Sequence, residues 1–310
     1  MVFVRKIEYS DFITDLKEQI HKTQLSTFTK TTLNTTLNKI NKAKRDTFMK
    51  EFINVLNNKL TDNINTKYTF VSTIKSIIKN THLKDSLTTP ELELIDNEFL
   101  KLKELKTNRD YTPVATDKQS DRHIPFKQLK ETLIKNKDKL TELDFLIYAL
   151  YTYQPPLRAD YNAIRILNGK YDINKLDRKE NYYSVKDNKF IMYEYKTAKI
   201  DQEPIVFTPP TDLQKLIVNS LKQTPREYLI YNERVGSVNK SVSANFLGHK
   251  IQFISNELFK IPISITDIRH SWATENNLQT KPYNELKAAA DIMGHSVQIA
   301  NLLYKKEYKN

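Results

Sequence analysis

Cysteine is absent from this 310-residue chain, which excludes disulfide scaffolds, thiolate zinc sites and cysteine nucleophiles and leaves the redox compartment open. No apolar run approaches the length that spans a bilayer. The opening residues, Met1 to Phe12, hold no apolar stretch followed by a cleavage site, so no secretory signal and an intracellular location are expected. Glycine is missing from the amino-terminal half, strand-like alternation is scarce there, and no internal repeat occurs. No histidine or carboxylate cluster has metal-ligand spacing, so no metal or other cofactor is expected. Arginine is greatly outnumbered by lysine, and against that background each well-placed arginine is more informative than each lysine.

What the chain has in excess is positive charge. The formal net charge of +12 favours a polyanionic partner, either nucleic acid or an anionic membrane surface. Length makes two domains the natural expectation. Residues 1–106 read as a small helical domain: Phe48, Phe52, Ile53 and Leu56 recur at helical spacing, as do Phe70, Ile74 and Ile77, and Thr88-Thr89-Pro90-Glu91 marks a helix start. Residues 107–124 are mostly polar, lack apolar periodicity and read as a linker. The second domain, 125–310, opens with two helical stretches, 126–136 and 143–153, the latter ended by Pro155-Pro156. Its middle changes character. Residues 182–185, 189–195 and 204–207 are rich in aromatic and β-branched side chains, with Asp187-Asn188 and Asp201-Gln202 as turns, and predict a three-stranded antiparallel sheet. Helices are expected again over 211–222, 241–259, 266–277, 283–293 and 297–305. The expected fold is mainly α, with a small sheet in the second domain.

Five residues of the second half form a set: Arg158 after Pro-Pro-Leu, Lys196 in Tyr-Lys-Thr-Ala-Lys, Arg269 in Asp-Ile-Arg-His-Ser-Trp-Ala-Thr, His295 in Met-Gly-His-Ser, and Tyr304, nine positions after His295. In these residues the chain resembles the tyrosine recombinase (phage integrase) family, over roughly residues 126–308. The Gly-His-Ser turn followed by tyrosine and the upstream Arg-His-Ser-aromatic-Ala-Thr helix are the specific parts. The chemistry explains the combination. The transition state of phosphodiester attack gathers charge on the nonbridging oxygens, and two arginines can clamp it with bidentate hydrogen bonds that do not titrate. Histidine adds a donor. A tyrosine hydroxyl forms an ester that keeps the phosphodiester energy, and a lysine can protonate the leaving 5′-oxygen.

Each residue also has an ordinary reading. Arg158 can be a helix-start arginine after Pro-Pro, and Lys196 one solvated lysine among many, with Lys199 three residues on as an alternative acid. A buried Arg269 needs an anion, which a DNA phosphate would supply. His270, beside it, is expected to buttress the helix more than touch substrate. Leu247-Gly248-His249 imitates the histidine signature, but Leu258 stands where a nucleophile would be required, so His249 reads as a surface or cap residue. Two positions depart from the family pattern. Thr266 stands where relatives carry histidine, and is read either as a neutral phosphate donor or as the cap of the helix bearing Arg269. Tyr161 stands where many relatives have an acid, with Asp160 one residue earlier.

The resemblance implies a helical, core-binding-like amino-terminal domain that clamps DNA together with the catalytic domain. It also implies double-stranded DNA as partner, no membrane, and a homotetramer at work. The function implied is site-specific cleavage and rejoining through a 3′-phosphotyrosyl intermediate. A type IB topoisomerase shares the catalytic set but begins with a β-rich domain, and an inactive DNA-binding descendant would have no need of the intact set. The glycine-poor, Asn/Lys-rich style is that of integrases from viruses and mobile elements with AT-rich genomes.

Overall fold

The computed structural model describes residues 11–41, 43–112, 114–195, 203–233, 236, 238–276, 282–293 and 308. Two compact units divide the chain, Met1–Thr112 and Pro113–Asn310.

The first unit holds helices α1 (Asp11–Lys22), α2 (Thr27–Lys39), α3 (Phe48–Asn54), α4 (Ile64–Asn80) and α5 (Thr89–Tyr111). Their apolar residues recur every three or four positions, and that period makes the core. Phe70, Ile74 and Ile77 of α4 bury together with Leu16, Leu37 and Phe52, and Phe52 stacks on Phe70 at 5.7 Å. Helix starts are chemically marked. The Ser26 hydroxyl accepts from the Thr29 N–H, and the Asn63 side chain accepts from the N–H groups of Asn65 and Thr66. Thr88 and Glu91 form a reciprocal capping box with proline in the first turn of α5. Helix α5 runs on to Tyr111, through the start of the polar 107–124 stretch.

The second unit begins with α6 (Asp117–Ser120), α7 (Phe126–Lys135) and α8 (Glu142–Thr152). From Leu143 to Thr152 every residue of α8 is buried, and the one carboxylate among them, Asp144, is paired with Lys250 at 2.6 Å. A sheet follows, built from β1 (Ile164–Leu167), β2 (Asn181–Ser184), β3 (Lys189–Met192) and β4 (Ile205–Phe207) in that spatial order. The last three strands are antiparallel, as their composition predicts; β1 pairs parallel to β2. The sheet therefore has four strands rather than three. Residues 164–167 alternate between buried and half-buried, but the run leaves a 3₁₀ turn directly and lacks the flanking turn signals that mark a strand. Helices α9 (Thr211–Gln223), α10 (Ala244–Phe259), α11 (Ile265–Glu275) and α12 (Tyr283–Ile292) complete the described part of the unit. The expected class, mainly α with a small sheet, holds. Among the described residues no helix is long and apolar enough to cross a membrane.

Candidate active site

Three segments of the second unit meet at one open pocket of about 350 Å³. They are the turn at Arg158, the inner face of α10 and the first turn of α11. The fold fixes each in turn. Pro155-Pro156 ends the chain's run out of α8, and the Tyr151 hydroxyl donates to the Arg158 carbonyl at 2.8 Å, holding the turn down on the core. Residues Ala159–Ala163 form a 3₁₀ turn, laced to the start of α10 by Asn162 Nδ2 to the Val242 carbonyl at 2.8 Å and by Val242 N–H to the Asn162 carbonyl at 3.2 Å. Helix α10 closes on Lys260 in the left-handed conformation. The Ser255 hydroxyl then accepts the Ile263 N–H at 2.8 Å, which sets where α11 begins.

The start of α11 is capped by Ser264, not by Thr266. The Ser264 hydroxyl accepts from the Asp267 N–H at 3.2 Å, and the Asp267 carboxylate accepts the Ser264 N–H at 2.9 Å and its hydroxyl at 2.7 Å. Thr266 is consequently the second residue inside the helix and lines the pocket beside Arg269 and Arg158.

Arg269 is only 1% exposed, yet it lines this pocket. Its guanidinium donates to the Pro156 carbonyl at 2.6 Å and to the Met293 carbonyl at 3.1 Å. The expectation that so buried an arginine requires an anion is thus met otherwise: backbone carbonyls accept from it, and Asp160 attracts it electrostatically. Burial raises the Asp160 carboxyl above its usual range. The nearby charges of Arg158 and Arg269, and the backbone N–H groups of Arg158 and Asp160, oppose that shift. Tyr161 points into the core, where its hydroxyl accepts from Gln154 Nε2 at 2.6 Å and its ring meets Tyr151 edge-on at 5.3 Å. It is a packing residue.

Helix α10 contributes Ala244, Gly248 and Gln252, one residue per turn, to the pocket wall. A Cβ added at Gly248 would meet nothing within 4 Å, so this wall opens on space rather than on a neighbouring side chain. These three positions were not among the sequence candidates. The signal was available: two small residues and an amide at four-residue spacing on one helix, which places them on one face. His249 lies on another face of α10, exposed, beside Tyr231 and Phe253. His270 is buried and does not line the pocket. A larger cavity of about 420 Å³ between α8 and α9 holds none of the candidate residues.

Lys196, Lys199, His295 and Tyr304 lie outside the described residues. Tyr308 lies within them. Its ring stacks on His123, 3.5 Å between centroids and 15° from parallel. Burial and the charge of Asp267 push its hydroxyl up to about 12, against a hydrogen bond with Thr274. A phenol so held is a weak nucleophile and a good anchor. His123 itself is lowered by burial, partly offset by Glu275, and its ring lies 3.4 Å from the Ser271 hydroxyl.

Compared by sequence, the chain matches no family model and no curated protein. Compared by structure, it is similar to XerA recombinase, with a TM-score of 0.43 and 14% identity over 97% of this chain and 95% of that one. It is also similar to the integrase from mycobacterium phage Brujita, with a TM-score of 0.35 and 9% identity over the same shares of the two chains.

Proposed function

We propose that this protein is a tyrosine site-specific recombinase. In this reading it binds double-stranded DNA, works there as a homotetramer, and breaks and rejoins strands through a 3′-phosphotyrosyl ester on Tyr304. The observation that carries the reading is the meeting of Arg158, Arg269 and Thr266 at one open pocket, though the first is separated from the other two by the whole sheet and two helices. Two arginines lining one open pocket suit a phosphodiester, because neither loses its charge at any physiological pH.

A scissile phosphate in this pocket is gripped by Arg158 and Arg269, which bind its nonbridging oxygens more tightly as charge builds on them. The Thr266 hydroxyl donates to the same oxygens. The Tyr304 hydroxyl gives up its proton to solvent as its oxygen attacks phosphorus in line with the 5′-oxygen, the P–O5′ bond breaks, and Lys196 gives that oxygen a proton and regains one from solvent. His295 adds a further donor. Rejoining is the reverse: a 5′-hydroxyl attacks, tyrosine leaves, and no external energy source enters because one ester is exchanged for another.

Incubation with random-sequence duplex DNA, denaturation and sequencing of the fragments still joined to protein is the direct test. Wild type should yield adducts bearing a free 5′-hydroxyl end. Tyr304→Phe should bind DNA and form none, whereas Tyr308→Phe should still form them. Adducts that persist in Tyr304→Phe and vanish in Tyr308→Phe would overturn the assignment of the nucleophile.

A further inference from the structure

Charge in the amino-terminal unit is segregated. From Gln19 to Arg45 the chain has no aspartate or glutamate, while Lys22, Lys30, Lys39, Lys42, Lys44 and Arg45 all fall inside that span. Helix α2 lies in the middle of it, joined to α1 by Lys17 Nζ on the Asn38 side chain and by Lys30 Nζ on the His21 carbonyl, each at 2.8 Å. The core side of α2 is fixed by Leu33, Thr36 and Leu37. Its outward stripe reads Phe28, Thr31, Thr35 and Lys39, all exposed.

Phe28 is 82% exposed, the highest among the large apolar side chains described. The two threonines beside it have already committed their protons. Thr31 donates to the Thr27 carbonyl at 2.9 Å, and Thr35 to the Thr31 carbonyl at 2.8 Å. A hydroxyl so engaged does not donate to a phosphate; it offers a partner its methyl group and its lone pairs. The stripe is therefore a phenyl and two methyls, on a stretch of chain that carries lysines and no carboxylate. Protein interfaces are depleted in lysine, whereas a helix of these dimensions fits the major groove of duplex DNA. There lysines meet phosphates, and phenylalanine and threonine methyls contact the C5-methyl of thymine.

We propose that α2 enters the major groove and that Phe28, with the methyls of Thr31 and Thr35, reads thymine by its C5-methyl group. This rests on the reading of the chain as a DNA-acting protein, and the experiment separates the two. The full chain carrying Tyr304→Phe, which removes the proposed nucleophile, is titrated at fixed salt into a fluorescent A·T duplex of about 30 base pairs, long enough to cover one protein footprint. It is then titrated into the same duplex with every thymine replaced by uracil. The replacement deletes methyl groups and leaves base pairing intact. The thymine duplex should bind more tightly, by about fourfold for each methyl buried. Adding Phe28→Ala, Thr31→Ser and Thr35→Ser together, which strips the stripe of its phenyl and both methyls, should bring the ratio close to one while affinity for the uracil duplex stays nearly unchanged. Any difference in duplex shape between thymine and uracil would survive in that variant, so a preference that persists in it overturns the proposal. Equal binding of the two duplexes by the unmodified stripe overturns it as well and leaves the DNA reading standing. Failure to bind either duplex overturns both. Self-association in sedimentation that disappears with Phe28→Ala assigns the stripe to a second copy of the chain and overturns the groove assignment.

Discussion

Replacing Thr266 by aspartate separates the two roles open to that residue, because the structure gives them opposite outcomes. Ser264 already caps α11, and residue 266 sits in the first turn. A carboxylate there lies at the positive end of the helix dipole and stabilises by about 0.3–1 kcal/mol. For a domain of this size that corresponds to a rise in melting temperature of roughly 1–4 °C. The same carboxylate faces the pocket shared with Arg158 and Arg269, where it would compete with a phosphate for both guanidinium groups. Thr266→Asp should therefore melt slightly higher than wild type and lose adduct formation. Thr266→Val, which removes only the donor, should slow cleavage about tenfold, roughly 1.4 kcal/mol of barrier. That lies below the 10²–10³ of a sole oxyanion donor because two arginines share the load. Thr266→Ser should be near wild type and Thr266→His active, since each keeps a donor. Thermal melts and single-turnover adduct formation on a trapped site read these outcomes. An aspartate variant that cleaves at the wild-type rate would refute the phosphate contact and leave Thr266 an ordinary helix residue.

Two further outcomes follow from the same site. Substituting sulfur for the scissile 5′-oxygen makes leaving-group protonation unnecessary, so cleavage of that substrate should be restored in Lys196→Ala and not in Lys199→Ala; the reverse pattern would move the acid to Lys199. The folded-state pKa of Asp160 is raised, so its contribution to stability is present below the ordinary aspartate value and lost as pH rises through the folded one. Asp160→Asn should accordingly melt higher than wild type at neutral pH, with the gap closing below about pH 4. A variant less stable than wild type at pH 7 would show that attraction to Arg158 and Arg269 outweighs the cost of burial.

Much of this fold was written in local periodicity. The repeat of apolar residues through α4, the continuous apolar run of α8 and the aromatic, β-branched strands β2 to β4 each announce themselves within a window of a few residues. Strand β1 does not, because it leaves a 3₁₀ turn with no turn signal of its own and is defined by its pairing with β2 across an intervening loop. The start of α11 was legible and was passed over: Ser264-Ile265-Thr266-Asp267 has the spacing of a capping box, and Ser264 rather than Thr266 is its first member. The partners of Arg269 were not legible. They are backbone carbonyls at Pro156 and Met293, and a carbonyl has no residue type by which it can be anticipated. The turn bearing Arg158 could be picked out by its motif, but that it faces the wall formed by Ala244, Gly248 and Gln252 is a product of tertiary packing alone.

Arg269 carries a structural demand that does not depend on what the pocket binds. Its guanidinium joins the carbonyl two residues before Arg158 to the carbonyl at the end of α12, so it braces three segments of the chain whether or not a strand is ever cut. Lysine cannot span both carbonyls with one planar group, and a neutral side chain would leave both carbonyls buried without their donor. A related chain whose pocket bound nothing would therefore still be stabilised by arginine at this position. Its presence is accounted for by architecture, and what the pocket binds is to be read from the residues beside it.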